Sequence, residues 1–457
     1  MTVDTVIIGA GISGLTLAWL LQNQQRRILL LEAADRVGGT IGTLDRDGFQ
    51  LETGPNSTLQ KPGGAEDALG RLIDQVGLAA DKQEADSRAG KRYIVRHGRL
   101  RPLPASPPAF LFSSPFSWQA KLRLLAEPFI QPSHREESIA AFVKRRLGQE
   151  MLDYAIEPFI SGVYAGNPAE LSVMAAVPRI YALEQQHGSL LRGAMAMGRI
   201  HKQSGMPRGR LISFRRGMAQ LPQTIAARLS PGTLSLSSRA TAIEPIATGW
   251  RVSWQTPQQP PQQLCCRSLV LATPAPAAAQ LLAPFCPDGA ALLRSIPYAP
   301  VVSCAVGYRR QQIQHPLDGF GFLVPQREQL PILGALFSST IFPDRSPTGD
   351  VLLTVFIGGQ MDPAAVNLSD ERIMERLQSG LQHNCGVRGK PHFIHIQRYQ
   401  QAIPQYTLGH LQRINQLQQI TSRLPGLHMQ ANWRGGVSVA DCVRQAEQLA
   451  QTFLSQS

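Results

Sequence analysis

The 457-residue chain is sparing with charge, aromatic rings and cysteine, and it lacks any long apolar run. Charged residues make up 17% and aromatic residues 6%, but 43% are hydrophobic, which excludes a disordered chain and leaves ample material for a core. No window approaches the roughly 18–20 uninterrupted apolar residues that a bilayer-spanning helix needs. Met1-Thr2-Val3-Asp4 offers no basic leader, so no secretory signal is expected. The six cysteines (Cys265, Cys266, Cys286, Cys304, Cys385, Cys442) form no CxxC pair, which argues against a zinc site and for free thiols in a reducing compartment. Cys265 and Cys266 are adjacent on an expected strand and should face opposite ways. No lysine occurs between Lys202 and Lys390, and no repeats are visible. No Ser-His-Asp set, metal cluster or carboxylate pair stands out.

Acid is scarce in two places. With 45 Lys+Arg against 32 Asp+Glu the formal charge is +13. Arg88 to Arg101 holds six cations and no acid, and Arg192 to Arg216 holds seven, again with none. The rest of the chain is balanced. A basic run is ordinarily a solvated face; an anionic substrate, a lipid surface or nucleic acid could each use one. No nucleic-acid module accompanies these residues, so nucleic acid is not an expected partner.

What is present begins at once. Thr2 to Ile8 suits a buried parallel strand, Gly9-Ala10-Gly11-Ile12-Ser13-Gly14 follows, and Leu15 to Leu21 carries helical apolar spacing. Arg27 to Leu31 reads as a second strand ending at Glu32, 18 residues past Gly14. Strand, G-x-G-x-x-G, helix, strand and acid together point to a dinucleotide: the glycines admit a pyrophosphate to the helix N-terminus, and Glu32 can accept from ribose hydroxyls. A second diglycine turn lies in Glu32-Ala33-Ala34-Asp35-Arg36-Val37-Gly38-Gly39-Thr40, and Glu52-Thr53-Gly54-Pro55-Asn56-Ser57 follows. NAD has no need of the second turn, whereas the longer FAD can use it.

Further on, Gly217 to Ser230 reads as a helix, Ala240 to Ile243 and Trp250 to Trp254 as strands, and Leu269 to Pro274 as a returning strand. Leu424 to Asn432 reads as turn and strand, with Trp433-Arg434-Gly435-Gly436-Val437 opening a helix that ends near Leu454. These elements resemble the flavin amine oxidase superfamily, in which the last helix aims its positive end at the flavin ring. A subset is more specific: Arg135 to Ser138, Pro158 to Pro168, Leu171-Ser172, Glu184 to Gly188, Ser213 to Gly217, Gly319 to Pro325, Ser338 to Pro343 and Asn432 to Val437. Across nearly the whole chain they are similar to the protoporphyrinogen oxidase family, in its plastid-like and bacterial forms.

The resemblance implies an α/β and α+β architecture: a discontinuous Rossmann-like FAD-binding domain (1–60, 211–275, 420–457), a mixed-sheet substrate-binding domain (61–103, 276–419) and a helical, membrane-associated domain (104–210). It implies non-covalent FAD, held by Gly9 to Gly14, Glu32, Ala33, Arg36, Gly38, Gly39, Thr40, Gly54, Pro55, Asn56, Ser57, Ile243, Gly436, Val437, Ser438 and Val439. Its activity would be the six-electron oxidation of protoporphyrinogen IX by oxygen in heme and chlorophyll synthesis, with no catalytic side chain and no metal. Arg92 would pair with a propionate, since a guanidinium fork matches a carboxylate. Leu323 and Phe342 would wall the macrocycle, or simply pack in the core. Gly162 and Gly166 would bring backbone close to it, or simply form turns.

Pro104 to Pro132 contains Phe110, Leu111, Phe112, Phe116, Trp118, Leu122, Leu124, Leu125, Phe129 and Ile130, with Lys121 and Arg123 among them. Such a mixture can seat a protein on one leaflet, although for most of these residues inward packing of a helical domain is the better expectation. The expectation is a cytoplasmic protein attached peripherally to a membrane; a homodimer is one assembly the sequence allows. The nearest alternative is a coproporphyrinogen III oxidase of the same family, which extra pocket cations would favour. An amine oxidase is disfavoured by the missing lysine, and a non-catalytic relative of the Rab GDP-dissociation inhibitors by the intact cofactor glycines.

Overall fold

The computed structural model describes residues 3–61, 67–104, 116–204 and 209–455. Its first strand, Val3–Ile8, is buried from Thr5 onward because both faces are covered, which is why its sequence does not alternate. Helix Ile12–Gln22 returns the chain to strand Ile28–Leu31, parallel to the first with Ile8 opposite Leu31. Gln262–Leu271 lies on the first strand's other side, also parallel. Leu427–Met429 then pairs in parallel with Leu269 to Leu271, and the short Leu234–Ser235 pairs with Ile28–Leu31. Segments far apart in sequence thus build one seven-stranded sheet.

The remaining strands of that sheet, Arg239–Ile246 and Gly249–Gln255, form an antiparallel meander with the first half of Gln262–Leu271. Ser235 and Arg239 sit at opposite ends of the strand order yet only a few residues apart in the chain. The meander must therefore fold back over one face of the parallel strands. There Ile243, Trp250 and Val252 share a core with Ile8, Leu31 and Trp433. The other face is covered by Ile12–Gln22 and the last helix, Val439–Ser455, whose Val443, Ala446 and Phe453 join Leu15, Ala18 and Leu21. As expected for neighbours on a strand, Cys265 is exposed and Cys266 buried.

A second seven-stranded sheet runs in the order Phe393–Pro404, Tyr298–Arg309, Asp350–Gly358, Gly334–Leu336, Gly321–Leu323, Arg92–Arg96, Arg99–Pro102. Helix Asp370–Cys385 supplies Ile373, Leu377 and Leu381 to a core with Tyr93, Val95, Cys304, Phe322 and Val355 on one of its faces. The other face is left for the rest of the molecule.

Helices occupy most of residues 118–204, among them Trp118–Leu125, Ile139–Arg146, Pro178–His187 and Leu190–Ser204. Their centre is ionic. Arg146 is fully buried and donates to Glu184 at 2.5 Å and Glu127 at 3.0 Å, both carboxylates being equally buried. Glu127 also accepts from the Ser189 hydroxyl and the Leu190 backbone N–H. Arg145 adds bonds to Glu137 at 2.5 Å and Glu184 at 2.9 Å. Buried carboxylates are tolerable only with this many donors.

Among the described residues, no helix is long and apolar enough to cross a membrane. Phe110, Leu111 and Phe112 lie outside them. Phe116 packs inward, but Trp118, Leu122, Leu125 and Phe129 are 57–84% exposed, so inward packing does not account for these four.

Arg146→Ala would strand two buried carboxylates and should cost about 3–5 kcal/mol. Denaturant unfolding monitored by circular dichroism measures it; a loss below about 1 kcal/mol would refute the ionic centre as a stability determinant.

Candidate functional site

Strands Val3–Ile8, Ile28–Leu31, Gln262–Leu271 and Leu427–Met429 are mutually parallel, so their carboxyl ends open at one edge of the sheet. The chain leaves the first of them through Gly9, whose φ is +106° and whose added Cβ would lie 2.7 Å from the Ala272 carbonyl oxygen. Gly14 lies against the Gly9 carbonyl, where a Cβ would come within 1.9 Å. Those two glycines are required by packing. Gly11 is different: a Cβ there would meet nothing within 4 Å. It caps Ile12–Gln22 without a side-chain hydrogen bond, and no acid sits in that helix's first turn. An open space before uncapped N–H groups is an anion cradle.

The second glycine turn adjoins the first. Gly38 donates to the Ala10 carbonyl at 2.9 Å, and Gly11 and Gly38 form an isolated parallel bridge. Glu32 accepts from the backbone N–H of Ala10 at 2.7 Å and of Ala34 at 2.8 Å, so its carboxylate sits between the two turns. Ala33 and Thr40 are exposed beside them. Arg36 braces the turn by donating to the carbonyls of Gly39 at 2.7 Å and Ile41 at 3.1 Å. Gly54 abuts Thr40, where a Cβ would lie 2.0 Å from its carbonyl oxygen, and Pro55 follows it.

The C-terminal element also arrives at this edge. The helix expected from Trp433 is interrupted: a short turn, Asn432–Gly435, precedes Gly436 at φ +133°, and the long helix starts only at Val439. A Cβ at Gly436 would press on Asp441, so the break is built in. Ser438 caps the new helix by accepting from the Asp441 N–H at 3.1 Å. Within it, the Cys442 thiol is hydrogen-bonded to the Ser13 side chain, while burial pushes it up to about 11. Residues 429 positions apart thereby place Gly436, Val437, Ser438 and Val439 next to the first glycine loop. Ile243 lies behind, in the core shared with Ile8 and Leu31.

Opposite stands the second sheet. On its uncovered face the Thr354 hydroxyl lies 3.4 Å from the Asn56 amide oxygen and 2.8 Å from the Ser338 hydroxyl. Asn56, Ser57, Phe342 and Thr354 line one cavity with Glu52 and Arg345. The Glu52–Arg345 pair (3.3 Å) was not foreseen, although Glu52 opens the Gly54 motif. Glu52 also accepts from the Thr43 hydroxyl at 2.6 Å and the Met218 N–H at 3.0 Å, and Arg345 donates to Gln50 and to the Ser213 hydroxyl. Burial raises the Glu52 carboxyl and lowers the Arg345 guanidinium, and their mutual attraction opposes both shifts. Arg345 lies over the Phe342 ring at 5.4 Å.

Arg92 pairs with Gly321 and Ile94 with Leu323 in parallel register, so Arg92 and Leu323 share a sheet face. Gly162, on helix Glu157–Tyr164, meets that face: its Cβ would lie 2.7 Å from Leu323. Gly166 is not part of the group, because it is buried beneath Gln405 and Leu171. Phe342 is 5% exposed and packs with Ala89 and Ile341, with Phe320 joining it to Arg92, whose guanidinium lies 5.5 Å from the Phe320 ring. Asp318 holds both of Arg92's neighbours, accepting from Lys91 at 2.5 Å and the Tyr93 hydroxyl at 2.6 Å. Burial and that bond push the Tyr93 phenol up to about 12.

The donors and acceptors suit a flavin dinucleotide: a glycine cradle with room at Gly11, a carboxylate at Glu32 that can accept, and a capped helix at Ser438. No cluster of metal-ligating side chains occurs among the described residues. A family model, Flavin containing amine oxidoreductase, matches residues 12–454. The chain is 33% identical to the chloroplastic protoporphyrinogen oxidase of Nicotiana tabacum, over 98% of its own length and 84% of that protein. It is 27% identical to the coproporphyrinogen III oxidase of Bacillus subtilis, over 97% and 96%. A crystal structure from Exiguobacterium, provisionally named a protoporphyrinogen oxidase, superposes with a TM-score of 0.84 at 25% identity, covering both chains completely. The chain belongs to the flavin-containing amine oxidoreductase family, has its mixed α/β fold, and uses FAD.

Gly11→Val should fill the cradle without disturbing the fold, whereas Gly14→Ala must displace the Gly9 carbonyl. The first variant is expected to lose FAD while its apoprotein melts within a few degrees of wild type; the second should melt markedly lower. Flavin absorbance of the purified proteins and thermal melts separate them, and a fully yellow Gly11→Val protein would contradict the cradle.

Proposed function

We propose that this member of the family oxidises protoporphyrinogen IX to protoporphyrin IX, using FAD and oxygen, in heme and porphyrin biosynthesis. The observation that carries this reading is near-full-length similarity to the tobacco protoporphyrinogen oxidase, joined to a cofactor edge that faces a sheet on which Arg92 makes no ion pair among the described residues. Six electrons and six hydrogens leave the macrocycle, and three oxygen molecules become three of hydrogen peroxide. FAD, when bound, supplies hydride acceptance. The chain itself binds, orients and excludes water.

In this reading FAD occupies the parts drawn from 1–60, 211–275 and 420–457, with its pyrophosphate at Gly9 to Gly14 and a ribose at Glu32. Gly38, Gly39 and Gly54 to Ser57 follow its length. Ser438 and Val439 lie at the positive end of a long helix, which favours the negative charge of the reduced ring. In the same reading the porphyrinogen lies against Leu323 and Phe342 of the substrate part, 61–103 with 276–419, and beside Gly162 of the helical part, with Arg92 on a propionate. Aromatisation drives the reaction, so positioning matters more than an acid or base.

Free cations bear on the choice between a dicarboxylate and a tetracarboxylate. Arg96 shares the Arg92 strand but is committed to Glu150 at 2.7 Å and to the Tyr154 ring at 4.2 Å. Lys91 is committed to Asp318. Arg92, like Arg99 and Arg101 on the adjoining strand of the same face, makes no ion pair among the described residues, so the preference for protoporphyrinogen rests on the similarity to oxidases of that name. The exposed Trp118, Leu122, Leu125 and Phe129, with exposed Arg123, support peripheral docking of residues 104–210 on a membrane surface. A homodimer is also part of this proposal.

Anaerobic addition of protoporphyrinogen IX should bleach the flavin of the purified protein, and air should restore it. Clear preference for coproporphyrinogen III in the same assay would overturn the substrate assignment. Arg92→Ala should raise KM for protoporphyrinogen IX about tenfold or more, the loss expected for a charge-assisted pair, with a smaller change in kcat. Unchanged KM would remove Arg92 from the site.

A further inference from the structure

We propose that Tyr406 is a positioning residue for the flavin: its phenol holds the turn from Asn432 to Gly436 in the shape that presents the last helix to the isoalloxazine. The proposal rests on the reading that this turn meets the flavin. Tyr406 lies 26 residues before Asn432, directly after the long strand Phe393–Pro404, and nothing in its local sequence marks it. It is 2% exposed. Its hydroxyl donates to the Asn432 carbonyl and accepts from the Gly436 N–H at 2.8 Å. One oxygen therefore ties the first residue of the turn to the glycine that ends it.

The ring is fixed as firmly as the oxygen. It stacks on His410 with centroids 4.3 Å apart and planes 12° from parallel, and Tyr164 packs beside it at 6.2 Å. Burial raises the phenol well above its ordinary range, so it stays a protonated donor at working pH. The turn has two further anchors: the Trp433 indole donates to the Thr273 carbonyl at 3.0 Å, and Arg434 donates to the Met429 carbonyl at 2.7 Å. Both hold the turn against the sheet. Among the described residues only Tyr406 spans it from end to end, which sets the angle between sheet edge and helix. At φ +133° Gly436 has no side chain of its own to restrict that angle. Phenylalanine would keep the stack but leave a carbonyl and an N–H unpaired, and the turn would relax to recover partners.

The test compares Tyr406→Phe with wild type, as apoprotein and holoprotein. The variant apoprotein should melt within a few degrees of wild type. Its FAD dissociation constant should rise about tenfold, and its flavin band and midpoint potential should shift. kcat should fall while KM for the porphyrinogen stays put. Unchanged affinity, spectrum and potential would overturn the proposal, even if stability fell. An apoprotein that is unfolded by circular dichroism would also overturn it, since the role would then be structural. Ser438→Asp tests the underlying reading separately, because aspartate can still accept from the Asp441 N–H, although it gives up the hydroxyl's bond to the Asp441 carboxylate, and it adds charge at the same exposed mouth. It should lower the midpoint potential. If Ser438→Asp changes nothing, the flavin does not meet this turn; if it shifts the potential and Tyr406→Phe does not, only the role of Tyr406 fails.

Discussion

The structure depends on the alignment of parallel strand ends. Ile8, Leu31, Leu271 and Met429 finish at one edge of one sheet, and the chain must turn away from each. Turning leaves backbone N–H groups pointing outward, most sharply before helix Ile12–Gln22, which has no side-chain cap. A bound anion satisfies them at little cost in the chain's own conformation. That explains why glycine is needed where the loops touch: Gly9 and Gly14 make room for the sheet, Gly38 for the neighbouring turn, and Gly11 for what binds. Strand order reverses between Val3–Ile8 and Gln262–Leu271, the crevice in which open parallel sheets hold ligands.

Buried charge does two different jobs. Around Arg146 it joins helices to one another, and Arg146, Ser189 and Gln185 together give every oxygen of the Glu127 and Glu184 carboxylates a donor. Around Arg345 it joins the cofactor side to the second sheet. That guanidinium touches Gln50, Glu52 and Ser213 while lying over Phe342, so a shift of the cofactor-side hairpin is felt at a wall of the cavity. Apolar packing could not couple the two sides with such directionality.

The two acid-free basic stretches look different once folded. Lys91 is met by Asp318 and Arg96 by Glu150, acids that arrive from far along the chain, and Arg88 is held by Asp86 just outside the stretch. Arg92 stands among these neutralised neighbours with only the Phe320 ring beside it. Arg99 and Arg101, on the adjoining strand of the same face, likewise make no ion pair among the described residues. With Arg92, Arg99 and Arg101 keeping no ion pair among the described residues, the first stretch is only partly neutralised. In the second stretch Arg210 is paired, with Glu84 at 2.6 Å.

Local patterns were legible from the sequence alone: the first strand, the glycine loop, Glu32 at the end of the second strand, and the opposite facing of Cys265 and Cys266. Each is decided by steric rules within a few residues, and the family resemblance extended them to FAD and the mixed fold. What tertiary structure alone decided were the meetings between distant segments. The sequence pattern after Trp433 reads as one helix, but Gly436 and its contact with Asp441 break it and move the N-terminus to Val439. Gly162 and Gly166 look alike in sequence, yet one faces Leu323 and the other is wedged beneath Gln405. Neither the Glu52–Arg345 pair nor the bonds of Tyr406 could be read beforehand, because a hydrogen bond across hundreds of residues, or across a turn, leaves no periodicity behind. Sequence settles which backbone can turn; packing settles which side chain waits at the turn.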